Sequence, residues 1–368
     1  MNLTKITFIP ISIIALGLLS TACEQSPEPV DYVDPFIGTD FFAHMFPGPG
    51  LPFGMVHLSP DTYNKGWTYA AGYQHADNSI MGFSHTHYSG VGMVAKGDLL
   101  LMPTVGQKLQ VTPGTRGNPD EGYRSRFDHA DETASPGYYS VHLKDYGIEA
   151  ELTVSQRAGM HRYTFPESED AHILMDLGHI IGDAPKGDSH LEFVNNNTIE
   201  GYKLSQEATL YFVAEFSKPF AAYGTWDGNY RTPESGASLF PYKSAESGSN
   251  IGAFVNYQTR ANEIILVKVG LSYVSVEGAR NNLYSEIPDW DFDRVRSEAR
   301  NSWNTELKKI RIAGGSEDQK QVFYTALYHS LLAQVISSDA VSYTHLTLPT
   351  TIKPWGWGGG GGVWGGGG

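Results

Sequence analysis

Between Val30 and about Tyr273 the apolar residues follow the two-residue period of strands, and near Pro288 that period changes once to the helical one. The segments Tyr138–Leu143, Ile148–Val154, His161–Phe165, His172–Leu177, Leu210–Phe216 and Ile264–Val274 are short and rich in β-branched and aromatic residues. Clusters of Gly, Pro, Asn and Asp separate them. No long helical period interrupts the series, so the economical expectation is an antiparallel β-sandwich over 32–273. After it, Phe292, Val295, Ala299, Trp303 and Leu307 recur at spacings of three and four, with Asp289 placed to cap the start. Ser316 and Gln319 then form a capping-box pattern ahead of Val322, Phe323, Ala326, Leu327 and Leu331. Strands followed by helices predict a mainly β protein with a helical domain beginning in 274–340 and represented by two helices.

The two ends are of another kind. Lys5 and the apolar run Ile6–Leu19 read as a signal peptide over 1–22, too short to span a membrane as a helix. Cys23 is the only cysteine and directly follows Ala22, the arrangement of a bacterial lipoprotein, cleaved before that residue and lipidated on its sulfur. Export to the cell surface or periplasm, with 23–31 as a polar tether, follows from that reading. The threonine-rich, then glycine- and tryptophan-rich stretch 341–368 departs from everything before it. It reads as a non-native tail, on the premise that the apolar faces of the two helices have no further partners to bury against. A formal net charge of −14 argues against nucleic acid or an anionic membrane surface as the partner.

Unusual residues concentrate between Gly66 and Asp98: three of the thirteen histidines, Trp67, and several glycines that bracket Phe83–Tyr88. If Phe83–Tyr88 is extended, Phe83, His85 and His87 share one face and Ser84, Thr86 and Tyr88 the other. Aromatic faces, imidazoles and hydroxyls together suit a polyhydroxylated ligand, because sugar rings offer apolar C–H faces and a ring of hydroxyls. Trp67 is either a rim residue or a buried core tryptophan. For His85 and His87 the alternatives are a hydrogen-bonded structural role, sugar contact, or a zinc pair that lacks a third ligand. Asp98 either binds a hydroxyl or forms a turn after Gly97.

The stretches VDPFIGT (33–39), PGPGLPFGM (47–55), GFSHTH (82–87), Gly97-Asp98, PGYY (136–139), YFVAEFS (211–217) and FYTALYHS (323–330), in that order, resemble glycoside hydrolase family 92. The resemblance implies an exo-acting α-mannosidase that is calcium-dependent and inverting and acts on mannose-containing glycans. It also implies a β-sandwich packed against an (α/α) toroid, with the active site at their junction. By the same resemblance, Trp67 faces the leaving-group sugar and Asp339 lies near the sugar-binding subsite. The catalytic acid and base and most calcium contacts are implied beyond the matching stretch, so the chain reads as an N-terminal part, inactive alone. The rival reading is a sugar-binding sandwich that catalyses nothing.

Overall fold

The computed structural model describes residues 27–183, 185–205, 208–229 and 238–340. The expected signal peptide, Cys23 and the tail from Val341 lie outside the described residues.

Among the described residues the chain folds as two large antiparallel sheets laid face to face, with a separate two-stranded sheet of Ser79–Ile80 and Ser125–Arg126. One has seven strands, in the order Ser59–Asp61, Gly82–Ser84, Leu100–Val105, Ser168–Asp176, Ile251–Thr259, Ala222–Asp227 and Ser238–Pro241. The other has nine, running Ala245–Gly248, Ser189–Asn195, Thr198–Leu204, Thr209–Phe216, Glu263–Ser272, Ala158–Phe165, Ile148–Val154, Tyr138–Leu143 and Glu132–Ser135. Burial alternates along Ile148–Val154 and along the end of Ala158–Phe165, as a pleated strand with one face in the core requires. Side chains of both sheets share one apolar interior, where the rings of Phe83 and Tyr163 lie 6.4 Å apart. The sandwich expectation holds.

Among the described residues three helices follow: α1 (Val276–Glu286), α2 (Phe292–Leu307) and α3 (Glu317–Leu332). The sequence reading missed α1, whose GARNN core carries glycine and two asparagines, weak helix formers. Small residues let it lie against the outer face of the nine-stranded sheet. Ala279, Leu283 and Ile287 join Ala158, Met160 and Val213 in a second apolar cluster there. Asp291, not Asp289, caps α2 by accepting from the Arg294 N–H, while Asp289 pairs with the Arg294 guanidinium. The capping box of Ser316 and Gln319 is present as read.

The apolar stripe of α2 is not stranded. Phe292, Val295, Ala299, Trp303 and Leu307 are all buried, and Trp303 donates its indole N–H to the Gly50 carbonyl at 2.7 Å. A Cβ on Gly137 would sit 2.6 Å from that of Ala299, so the α2 backbone rests directly on the sheet turn. On α3 the buried stripe is Tyr324, Tyr328 and Leu332, one position away from the expected one, and Val322 and Ala326 are exposed. The tyrosines read as polar in a hydrophobicity count, yet their rings fill the groove against Tyr32 and Trp303.

Candidate functional site

The Gly66–Asp98 stretch divides into an exposed rim and a buried floor. Gly66, at φ +82°, turns the chain into a single 3-10 turn, Trp67–Tyr69, that lifts the indole outward. Trp67 is 53% exposed and anchored at one edge, its Nε1–H donating to the Gly92 carbonyl at 2.6 Å. His44 meets it edge-on at 4.7 Å between centroids, and Phe42 lies 5.3 Å away. A Cβ on Gly92 would fall 2.8 Å from the indole Cζ2, so glycine there is a condition of this posture. Phe41, Phe42, Val91 and Met93 are exposed around it. His44 adopts positive φ, a conformation uncommon outside glycine, and its ring neighbours the indole. His44 is buried with no hydrogen-bond partner for either ring nitrogen among the described residues. The result is an aromatic platform with imidazole at its edge, suited to the C–H face of a sugar.

The two histidines read from GFSHTH do not share that rim. The strand ends at Ser84 and the chain bends at His85, so alternation fails: Ser84 Oγ lies 3.2 Å from His87 Nε2, on the same side. His85 turns into the seam between the sheets. There its Nδ1–H donates to the Leu99 carbonyl at 2.7 Å and its Nε2 meets that of His161 at 3.1 Å. Burial holds the His85 pKa down at about 4. His87 and His57 each direct Nδ1 at the other's carbonyl, at 2.8 and 2.9 Å. The His87 Nε2 faces Asp61 Oδ1 at 2.9 Å, and Asp61 Oδ2 takes His179 Nε2 at 2.8 Å. Burial alone would raise the Asp61 pKa, but His87 and His179 hold it well below the usual carboxylate range. His85 and His87 are thus both buried and hydrogen-bonded within the sandwich.

Asp98 is neither a turn former nor an exposed hydroxyl acceptor. It is buried, accepts from Thr86 Oγ1 at 2.9 Å, and pairs with Lys203 at 3.1 Å. Burial would raise its pKa; Lys203 and the Thr86 hydroxyl keep it low. Asp339 is also committed. Its carboxylate accepts from Ser272 Oγ at 2.9 Å and from Asn282 Nδ2 at 2.8 Å, tying the segment after α3 to α1 and the sheet. Of the expected sugar contacts, only Trp67 is exposed. Its ring neighbours Phe42 and His44 were missed. The signal for them was the FFAH run, aromatics that no strand period explains.

His87 lies near the segment after α3. A cavity of about 20 Å³ is lined by His57, Thr86 and His87 from the sandwich and by Val335 and Ile336 after α3. A larger cleft, about 1280 Å³, is lined by Tyr63, Asp77, Arg116, Arg124 and Asp176 among others, where one oxygen of each aspartate lacks a partner among the described residues. Only one group of three or more converging His, Cys, Asp or Glu occurs among the described residues: His75, His129 and Glu132. Calcium takes six to eight oxygens, and two imidazoles with one carboxylate do not fit it. No helix among the described residues is long and apolar enough to cross a membrane.

Residues 32–272 match the glycosyl hydrolase family 92 N-terminal domain, and 278–352 match the family 92 catalytic domain. A family GH92 α-mannosidase of Bacteroides thetaiotaomicron, solved in complex with mannoimidazole, is 38% identical with a TM-score of 0.79. The alignment covers 85% of this chain and 41% of that one. A family GH92 inverting mannosidase of the same bacterium is 25% identical with a TM-score of 0.69, covering 84% and 40%. An uncharacterized secreted glycosidase of Arthroderma benhamiae is 27% identical over 348 residues, which is 88% of this chain and 44% of the relative. The chain therefore spans less than half the length of these relatives. With its sandwich, its first helices and both domain matches in order, the chain belongs to glycosyl hydrolase family 92.

Proposed function

We propose that this chain is the N-terminal part of an exo-acting α-mannosidase, and that its sandwich contributes the leaving-group side of the sugar site through Trp67. The observation carrying this reading is the aromatic rim at Trp67 on a chain 38% identical to an α-mannosidase that binds mannoimidazole. Inversion is part of the proposal, supported by the relative described as an inverting mannosidase. Inverting hydrolysis needs an acid and a base carboxyl about 6.5–9.5 Å apart, with water between them. The buried carboxylates Asp61, Asp98 and Asp339 are engaged in ion pairs and hydrogen bonds, and the proposal assigns the pair to the catalytic domain, which the chain matches from residue 278 on. Calcium, in the same proposal, is held by oxygens of that domain. Export follows the secreted fungal relative, and Cys23 carries the lipid anchor of a surface or periplasmic lipoprotein that meets mannose-containing glycans.

The test compares the 368-residue chain with a version extended by a family catalytic domain, on aryl α-mannosides, with the product anomer followed by NMR. The extended protein is expected to release β-mannose first and to lose activity to a chelator. The 368-residue chain is expected to be inactive, lacking the groups that protonate the leaving oxygen and activate water. Calcium-independent turnover by the 368 residues alone overturns the proposal. Radiolabelled fatty acid incorporated into the exported protein, and lost in Cys23→Ser, tests the anchor.

A further inference from the structure

We propose that His75, His129 and Glu132 form a binding site for a zinc-type divalent cation, separate from the sugar rim. One ligand atom from each of the three lies within 4.8 Å of the others. The His75 and His129 rings stack with centroids 4.0 Å apart and planes 29° from parallel. His75 and His129 sit on exposed turns, each able to swing its ring by the ångström or so that coordination at about 2.0–2.1 Å asks for.

Glu132 supplies the fixed point. Its side chain is 1% exposed, and its one ion-pair partner among the described residues is His129, at 2.6 Å. Tyr73 donates to Oε1 and Tyr139 to Oε2, both at 2.7 Å. Two phenol donors around a buried carboxylate are the outer shell that orients a metal-ligating oxygen. A buried carboxylate also seeks more positive charge than one half-exposed imidazole offers, and a divalent cation provides it. Two nitrogens and one oxygen, with the fourth position open to water on the exposed side, fit zinc and its neighbours in the first transition row. The bound ion would clip the turn bearing His75 to the edge strand Glu132–Ser135, a structural gain.

Titration calorimetry of the chelator-stripped 368-residue chain with zinc chloride tests the site, with calcium chloride as the comparison. One saturable zinc site per chain is expected, no calcium heat, and a rise in melting temperature on zinc addition. His75→Ala and His129→Ala, both exposed and therefore foldable, should each weaken zinc binding by about 10–100-fold and abolish the thermal shift. Cobalt substituted for zinc should give visible absorption bands in the parent and not in either variant. Absence of saturable binding overturns the proposal, and so does zinc affinity that both variants retain.

Discussion

The Nε2 atoms of His85 and His161 lie 3.1 Å apart in the seam between the two sheets, one as donor and the other as acceptor. His85 donates its Nδ1–H to Leu99, which leaves Nε2 as the acceptor. His161 therefore donates from Nε2 and accepts the Tyr163 hydroxyl at Nδ1, 2.8 Å away. Every polar atom in this row has a partner only while both rings are neutral. An added proton would set two N–H groups against each other.

That row makes the fold acid-sensitive at mild pH. Burial lowers His57 and His85 to about 4, and burial together with His85 holds His161 well below the usual imidazole value. Unfolded histidine titrates near 6.5, so above that pH neither state binds a proton and stability is fully present. As pH falls from 6.5 towards 4 the unfolded chain takes up protons that the folded one refuses, and stability declines. Each histidine contributes a slope of about 1.4 kcal/mol per pH unit. Urea unfolding between pH 7.5 and 4.5 should show the decline, and His161→Phe should flatten it by one histidine's share. A constant unfolding free energy below pH 6.5 would contradict this account.

Asp98 and Lys203 form a buried ion pair, 2% and 4% exposed. Lys203→Met should cost about 3–5 kcal/mol, because it leaves an uncompensated carboxylate in the interior. Asp98→Asn combined with Lys203→Met should restore part of the loss, since the remaining amide carries no charge. Chemical denaturation of the two singles and the double closes the cycle. Additive effects would mean that the pair is not coupled.

Asp339 fastens the segment after α3. Asp339→Ala removes the acceptor of the Ser272 hydroxyl and one of the two acceptors of the Asn282 amide, costing about 1–3 kcal/mol. The loss should be local as well as global. Limited proteolysis should cut the variant between 333 and 340 before the sandwich opens, and unchanged resistance there would count against the tether.

Periodicity revealed the sandwich because its strands bury one face each, and it revealed α2 because one stripe of that helix is apolar. It missed α1, where backbone contact through Gly278 and Ala279 replaces bulk, and it found α3 but displaced its buried stripe, because tyrosine rings do the burying there. The site was less legible. GFSHTH marks a local density of imidazoles, but hydrogen bonds to Leu99, His57 and Asp61 consume them. Those partners are distant in sequence, so no spacing rule reports them. Trp67 was legible because Gly66 frees the turn that exposes it.

Trp67 is where the functional proposal is most open to refutation. Its indole is half exposed and makes one hydrogen bond, so Trp67→Ala should change unfolding free energy by only about 1 kcal/mol. In an enzyme extended by a catalytic domain, the same change removes a stacking face for the leaving-group sugar. Aromatic stacking is worth about 0.5–1.5 kcal/mol, so kcat/KM for a mannose disaccharide should fall by up to about tenfold. An aryl mannoside, whose leaving group needs less help, should be affected less. Gly92→Ala should reproduce the pattern with the indole still present, because the added Cβ meets the ring at 2.8 Å and displaces it. Equal losses on both substrates would assign Trp67 to general stability, and no loss on either would remove it from the sugar site.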